Sequence, residues 1–259
     1  MTKPAVSSIA RRAMLGACVA ATLALAGQAG ATNWSWGGEQ IQGSGRIVKQ
    51  NRQVSGFTGL SLGVPGRVEL RIGSSESVTV EGDDNVLPLV ETVVEDGSLK
   101  IRPARRNLNF QTKAIRVVVQ ARSIDRLSLG GSGSIDADPL KARRLDVDVG
   151  GSGSVNLKGV EADTLSVSLG GSGDLQAARG NVGKLSVSIG GSGDVDLGRV
   201  QATSASVSVA GSGEATVWPR NALSVSIAGS GDVNYYGDPQ VRKSTAGSGE
   251  VKRIGASPR

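Results

Sequence analysis

The chain has 259 residues, of which 38% are hydrophobic and only 3% aromatic, and its formal net charge is +6. This length suits one large all-β domain or two small ones, with a core of aliphatic side chains. The chain contains one cysteine and no histidine. Catalytic triads that depend on histidine are therefore excluded, as are most zinc sites, because both need side chains that the chain lacks.

Residues 1–31 are predicted to be a signal peptide. A positive segment, an uncharged apolar run and a small-residue cleavage site follow one another there: Lys3, Arg11 and Arg12, residues 13–26, and Ala29-Gly30-Ala31. The apolar run is shorter than the about 20 residues that span a membrane. The paired arginines partly match a twin-arginine signal, and Leu15-Gly16-Ala17-Cys18 loosely resembles a lipobox, so both are alternatives. The mature chain is then periplasmic, secreted or held at the cell surface.

Loss of the signal peptide changes the charge balance. The mature chain keeps 26 basic and 23 acidic residues, a net charge of +3, and it has no cysteine. Without disulfides, an exported fold depends on its core and on the hydrogen bonds between its strands. The small excess of positive charge gives no reason to expect nucleic acid as a partner. We also expect no cofactor and no transmembrane span in the mature chain.

The tripeptide Gly-Ser-Gly recurs in the second half of the chain at intervals of 20 and then 18 residues. Its two glycines stand at Gly131 and Gly133, Gly151 and Gly153, Gly171 and Gly173, Gly191 and Gly193, Gly211 and Gly213, Gly229 and Gly231, and Gly247 and Gly249. Before most tripeptides, aliphatic and polar residues alternate, as in Leu165-Ser166-Val167-Ser168-Leu169. Repetition at a fixed interval predicts coils that stack on one another.

The tripeptide glycines are predicted to form the corners of the coils. A sharp corner favours the positive φ that glycine adopts, and stacked corners lie about 4.8 Å apart, with little room for side chains. The residue before the tripeptide is glycine in the first coils and later Ala210, Ala228 and Ala246, so that position accepts a methyl group. The change from 20 to 18 residues is even, which preserves the alternation of inward and outward side chains.

Residues 46–125 have less regular strand patterns, and we expect them to form irregular first coils that cover one end of the same body. Aliphatic residues mark the strands: Leu60, Leu62, Val68, Leu70, Ile72, Val78, Val80, Leu99, Ile101, Ile115, Val117 and Val119. Residues 32–45 are predicted to be a flexible leader, and residues 46–255 a single domain. Near the other end Lys243 replaces an aliphatic residue, as expected of a terminal cap.

The mature chain resembles the head GIN domain family, which is described as auto-transporter adhesins. The resemblance rests on the Gly-Ser-Gly repeat and on several separate motifs: Gly43-Ser44-Gly45, Val54-Ser55-Gly56-Phe57, Gly82-Asp83-Asp84-Asn85, and Leu99-Lys100-Ile101 after the Asp96-Gly97 turn. It implies an all-β fold, a right-handed parallel β-helix (solenoid) with 18–20-residue coils and stacked Gly-Ser-Gly corners, in an exported bacterial protein. It implies no catalytic or cofactor-binding residues.

Acidic residues follow the tripeptide in the later coils, at Asp174, Asp194, Glu214, Asp232 and Glu250. Stacking places successive carboxylates about 5 Å apart, close to the spacing in retaining glycosidases, but coil geometry alone produces that spacing. The pattern also differs from the calcium-binding nonapeptide in its period and in the position of the acid. We expect a solvated acidic row, with no catalytic residue and no metal site, and cation binding as the alternative.

Serines occupy the outward positions of the same strands, at Ser166, Ser168, Ser186, Ser188, Ser206, Ser208, Ser224 and Ser226. They are expected to form a flat hydroxyl surface. Such a surface keeps a sheet face soluble, or it binds a polysaccharide or another flat surface.

A basic stretch without acidic residues lies between Gly97 and Ile124. Its members are Lys100, Arg102, Arg105, Arg106, Lys113, Arg116 and Arg122. They are candidates for binding an anionic ligand such as lipid phosphate or acidic polysaccharide. A solvated basic loop is the alternative.

Together these features predict an exported, non-catalytic β-helix with a structural or adhesin-like binding role at the bacterial cell envelope. Its expected partners are envelope polysaccharide, lipid phosphate or another surface. Two alternatives stay open: a carbohydrate-active β-helix enzyme, such as a lyase or a glycosidase, and a cation-dependent surface module.

Overall fold

The computed structural model describes residues 39–112 and 114–258. The predicted signal peptide, residues 32–38 of the predicted leader, and Lys113 lie outside the described residues. Within these ranges the chain forms strands almost throughout, with one short 3₁₀ helix. No helix in the described part of the chain is long and apolar enough to span a membrane.

The amino-terminal part contains nine strands and the 3₁₀ helix. They are β1 Glu39–Gln42, β2 Ile47–Arg52, β3 Gly59–Leu62, β4 Arg67–Ile72, β5 Ser77–Asp83, the helix Leu87–Leu89, β6 Val90–Glu95, β7 Ser98–Pro103, β8 Leu108–Gln111 and β9 Arg116–Ala121. The aliphatic residues from which the sequence predicts strands in this part lie in or directly beside these strands.

Twelve further strands form a parallel β-solenoid of about six stacked turns. They are β10 Arg126–Gly131, β11 Ser134–Ala137, β12 Leu140–Gly151, β13 Ser154–Leu157, β14 Val160–Gly171, β15 Asp174–Ala177, β16 Gly180–Gly191, β17 Asp194–Gly211, β18 Glu214–Gly229, β19 Asp232–Tyr236, β20 Gln240–Gly247 and β21 Val251–Gly255. The predicted stack of parallel coils is therefore confirmed.

Each regular turn has three sides, which we number in chain order. In one turn, residues 145–149 form side 1, residues 154–157 form side 2 after the Gly-Ser-Gly corner, and residues 160–162 form side 3. Neighbouring turns pair in a register of one repeat, so that Val147 stands beside Val167. The even shortening to 18 residues keeps this register on side 1, as predicted, because Val207 still stands beside Val225.

Stacked aliphatic layers fill the interior of the solenoid. On side 1, Leu165, Val167 and Leu169 are buried, whereas Ser168 between them is exposed. Leucine and β-branched side chains fit the pleated, half-buried surface of a strand. The same alternation on the turns from Leu127 to Ile227 joins these layers into one hydrophobic core.

The Gly-Ser-Gly corners stack closely, as the sequence predicts. Gly171 has a φ of +118°, a conformation that only glycine adopts readily. A Cβ atom on Gly173 would lie 2.5 Å from the carbonyl oxygen of Gly153 and 3.0 Å from Val149 Cγ1. In contrast, a Cβ atom on Gly170 would meet no atom within 4 Å, which explains why alanine occurs at that position in later turns.

The first layers stack in an order that differs from the chain order. Strand β3 pairs in parallel with both β7 and β10, and β4 pairs in parallel with both β9 and β11. The layer formed by residues 59–72 therefore lies between residues 98–121 on one face and residues 126–137 on the other. The expectation of irregular first coils holds, but the solenoid is not wound continuously in this part.

Antiparallel strands cover this end of the solenoid. Strand β5 pairs antiparallel with β2 and β9, and β6 with β7. The β6–β7 hairpin turns at Asp96-Gly97, where both residues have positive φ, as in the tight turns that suit twisted strands. Strand β1 pairs with β8, so residues 39–42 of the predicted flexible leader form a paired strand, because β8 offers them an open edge.

Strand β20 is the last strand of side 1 in the described part of the solenoid. All eight residues of β20 are exposed, and Lys243 stands in register with the inward Val225 of the turn before. A lysine at this position places its charged end in water and discourages pairing with another chain. This agrees with the terminal cap that the sequence predicts.

Candidate functional site

The predicted basic stretch is largely paired with carboxylates. Lys100 Nζ lies 2.8 Å from Glu95 Oε2, and Arg102 contacts Glu95 at 2.7 Å and Glu91 at 2.9 Å. These acids come from β6, which pairs antiparallel with β7. The hydrogen bond from Arg102, with a second from Lys100, lowers the pKa of Glu95 from 4.5 to about 2. The carboxylate therefore stays ionised and neutralises its two partners.

Three other members of the basic stretch form ion pairs of their own: Arg105 with Glu39 at 3.5 Å, Arg116 with Glu69, and Arg122 with Glu76 at 3.8 Å. Arg106 is exposed on the loop between β7 and β8. The register places Lys100 beside Ser61 on side 1 and Arg116 beside Arg67 on side 2. The fold thus divides the stretch between two sides, and its described members do not form one unpaired basic surface.

The outward serines form two straight columns on side 1. Ser168, Ser188, Ser208 and Ser226 stand in one column, and Ser166, Ser186, Ser206 and Ser224 in the other. Arg144 and Asp146 stand at the amino-terminal edge of this surface, and the hydrogen bond from Arg144 holds the pKa of Asp146 below its ordinary value. The predicted outward hydroxyl surface is present on side 1.

The predicted acidic row is also present, along side 2. Asp174, Asp194, Glu214 and Asp232 stand in register. Backbone groups of the next turn partly satisfy these carboxylates, since the Glu214 N–H donates to Asp194 Oδ1 at 3.2 Å. Among residues 39–112 and 114–258, no three acidic side chains converge in a way that could hold a metal ion.

A groove of about 990 Å³ opens beside the acidic row. Its floor is the second outward column of side 2, which we name the polar column: Asn156, Gln176, Asp196, Thr216 and Asn234. Five successive turns of the solenoid contribute one residue each. Because adjacent parallel strands lie about 4.8 Å apart, the column extends for roughly 19 Å along the solenoid axis.

Hydrogen bonds between turns orient the polar column. Gln176 Nε2 donates to Asn156 Oδ1 at 2.6 Å, and Asn156 Nδ2 donates to Asp136 Oδ1 at 2.8 Å. Asn234 Nδ2 donates to Glu214 Oε1 at 2.6 Å. An amide group has two N–H donors and a carbonyl oxygen with two lone pairs. Each amide that makes one such bond therefore keeps further capacity to bind a ligand.

The walls of the groove come from the corner after side 2 and from the end of the chain. Tyr236 and Arg199 line the corner, and residues 254–258 run along the opposite side. A Cβ atom on Gly198 would lie 3.1 Å from Tyr236 Cε2 and 2.9 Å from Thr216 Cγ2. The absence of a side chain at Gly198 therefore leaves the space that the tyrosine ring and the groove occupy.

Reasoning from the sequence alone missed the polar column. Its residues recur at the repeat interval, from Asn156 to Thr216 in steps of 20 and then to Asn234 in a step of 18. A turn-by-turn alignment of outward positions would have found this column. The wall formed by residues 254–258 carries no repeat pattern, so the sequence gives no signal that the column lies in a groove.

Comparisons with known proteins agree with this architecture. A solved structure described as a putative adhesin from Bacteroides fragilis has 22% sequence identity and a TM-score of 0.77, covering 83% of this chain and 100% of its own. A putative lipid binding protein from Parabacteroides distasonis has 26% identity and a TM-score of 0.70, with the same coverage of both chains. A putative adhesin from Parabacteroides merdae has 18% identity and a TM-score of 0.62, covering 83% of this chain and 99% of its own.

A search of curated proteins found no match to the chain. The family model described as "Putative auto-transporter adhesin, head GIN domain" matches residues 56–239. This range contains most of the amino-terminal layers and the solenoid turns that carry the polar column. The chain belongs to the head GIN domain family.

Proposed function

We propose that this protein is an exported, non-catalytic, adhesin-like binding module of the bacterial cell envelope, and that the groove on side 2 is its binding site. The observation that carries the proposal is the polar column, which presents hydrogen-bonding side chains from five successive turns in one groove. Ligand sites are concave and contain a few well-placed polar groups. The serine columns of side 1 do not line this groove.

The solenoid is a suitable support for a binding site. Its turns are held together by continuous parallel ladders, and rigid elements keep the side chains of a site in place. The names of similar structures support a role in surface binding, since two are described as adhesins and one as a lipid binding protein. The amino-terminal pattern of residues 1–31 supports export to the envelope.

The two carboxylates of the groove support binding over catalysis. Asp196 Oδ1 accepts a hydrogen bond from the Gly198 N–H at 2.9 Å, and Glu214 Oε1 accepts one from Asn234. Both side chains are exposed, whereas the general acid of a glycosidase typically lies in a protected, apolar environment. Their hydrogen bonds give them a role in shaping the groove.

Retention of the mature chain on immobilised envelope components tests this proposal. The components are peptidoglycan, lipopolysaccharide and vesicles that contain phosphatidylglycerol. We expect the wild type to bind at least one component, and Gln176→Arg to lose that binding because the longer side chain fills the groove. Ser188→Arg adds the same side chain on side 1 and serves as the matched control, with binding unchanged.

Two outcomes would contradict the proposal. If neither these components nor a neutral glycan binds the wild type, the adhesin-like role is wrong. If Gln176→Arg binds as well as Ser188→Arg, the groove is not the binding site. Turnover of a polysaccharide by the purified protein would support the enzyme alternative.

A further inference from the structure

We infer that the ligand of the side 2 groove is a neutral, linear glycan that lies along the solenoid axis. This inference rests on the proposed binding function and names the chemical class that the groove recognises. It follows from the spacing of the polar column, the chemistry of its side chains, the balance of charge in the groove and the position of one aromatic ring.

The polar column repeats at the distance between turns. Adjacent parallel strands lie about 4.8 Å apart, which is close to the length of one sugar unit in an extended chain. Gln176, Asp196 and Thr216 stand on three successive turns. A linear glycan along the groove therefore meets one hydrogen-bonding side chain on each turn, about one for each sugar unit, whereas a compact ligand contacts only one or two turns.

The side chains of the column match the hydroxyl groups of sugars. Amide and carboxylate groups are planar and offer two atoms to a pair of neighbouring hydroxyls, and a threonine hydroxyl both donates and accepts. Ile254 and Pro258 line the wall, but the floor carries no aliphatic side chain that faces outward in the column. A lipid acyl chain needs an apolar floor, so the column does not suit it.

The residues that line the groove carry no excess of positive charge. Lys158 and Arg199 are the cations of the lining, and Asp196 and Glu214 are its carboxylates. Lys158 is itself paired with Asp138 at 3.0 Å. An anionic polysaccharide or a phosphate group requires an excess of positive charge, which the groove lacks. A neutral ligand needs no such excess.

Tyr236 gives the groove an aromatic wall. Its ring is half-buried and lies against Gly198 and Gly255, where added Cβ atoms would approach it to 3.1 Å and 3.3 Å. The C–H faces of sugar rings pack on aromatic side chains, while the tyrosine hydroxyl binds a polar group. Apolar contact and hydrogen bonding are thus available within one site.

Direct binding to soluble oligosaccharides of defined charge tests this inference. The probes are cello-oligosaccharides, α-1,6-linked glucans and mannans as neutral glycans, oligogalacturonate as the anionic glycan, and phosphatidylglycerol vesicles. We expect the mature chain to bind a neutral glycan, and the affinity to stay constant up to about 1 M NaCl, where exposed charges are screened within about 3 Å.

Matched double variants locate the site. Gln176→Ala with Thr216→Val removes hydrogen-bonding groups from two turns of the polar column, and we expect affinity to fall at least about tenfold. Ser186→Ala with Ser206→Ala removes two hydroxyl groups from side 1. We expect this control to leave the affinity unchanged. Equal melting temperatures and circular dichroism spectra show that each variant is folded. Gln176→Glu provides a second variant at the same position, with a side chain of almost the same size as glutamine.

The outcomes separate this inference from the proposed function. Binding to an envelope component without binding to any neutral glycan overturns the inference and leaves the adhesin-like role in place. Binding that is confined to oligogalacturonate or vesicles, or that weakens steeply with salt, also overturns it. Loss of glycan binding in the serine variant alone would move the site to side 1.

Discussion

Asp83 Oδ1 accepts a hydrogen bond of 2.7 Å from the backbone N–H of Gly45. Asp83 is only 3% exposed, and its second oxygen accepts a hydrogen bond from Thr112 Oγ1 at 2.6 Å. A Cβ atom on Gly43 would overlap the same carboxylate. The relationship joins Gly43-Ser44-Gly45 to Gly82-Asp83-Asp84-Asn85, two family motifs that lie far apart in the sequence.

Substitution of Asp83 should therefore destabilise the antiparallel strands that cover the amino-terminal end of the solenoid. Asp83→Ala removes the buried carboxylate that accepts hydrogen bonds from the Gly45 N–H and from Thr112 Oγ1, and we expect the free energy of unfolding to fall by about 1–3 kcal/mol. Asp84→Ala is the control, because its partners Ser44 and Arg46 are both exposed and surface ion pairs contribute less than about 1 kcal/mol. Urea denaturation measures both. Equal losses would show that burial of Asp83 has no structural role.

The corner glycines provide a second test, by thermal unfolding. Gly173→Ala places a Cβ atom 2.5 Å from the carbonyl oxygen of Gly153, and overpacking of this kind costs about 1–3 kcal/mol. Gly170→Ala adds the same methyl group three residues earlier, where no atom lies within 4 Å, and it should be neutral. Ser168→Thr on the outer surface should also be nearly neutral. A neutral Gly173→Ala would contradict the stacked corners.

The Glu95 pair predicts a specific dependence of stability on pH. The pKa of Glu95 is lowered from 4.5 to about 2 by Arg102 and then Lys100. The contribution of the pair is therefore complete above pH 4.5 and is lost as the pH falls toward about 2. Glu95→Gln should be less stable than the wild type at neutral pH, and this difference should shrink over that range. Arg102→Met should behave likewise, and a constant difference would refute the assignment.

Export predicts the start of the mature chain. Cleavage after Ala31 yields a protein that begins at Thr32, and mass spectrometry of the periplasmic or secreted form measures its mass. A soluble mature form that retains Met1 would contradict the signal peptide. A lipid on Cys18 would favour the lipobox alternative.

The solenoid could be predicted from the sequence because each repeat contains both the alternation of its strand and the interval to the next repeat. The alternation around Val167 fixes which side chains face inward, and the interval between Gly171 and Gly191 fixes the partner in the next turn. The serine columns and the acidic row follow directly from that register. Gly170 and Ala210 stand at equivalent positions, and the open space beside Gly170 explains why either residue fits there.

The amino-terminal layers were not accessible in the same way. Alternation in β3 and β7 shows that each has a buried face, but it does not show that β3 lies between β7 and β10. The pairing of the basic stretch with carboxylates was not accessible from the sequence for a related reason. Its carboxylate partners, such as Glu95 and Glu69, come from outside the stretch, and only the fold brings them together.

Hydrogen–deuterium exchange of the mature chain, with and without the envelope component that retains it, tests the central claim most directly. The account predicts that the bound component slows exchange in the strands that carry the polar column, residues 174–177 and 214–217, and along residues 254–258. Exchange on side 1 between residues 185 and 189 should stay unchanged. Protection that is confined to side 1, or to the antiparallel strands at the amino-terminal end, would contradict the groove as the binding site.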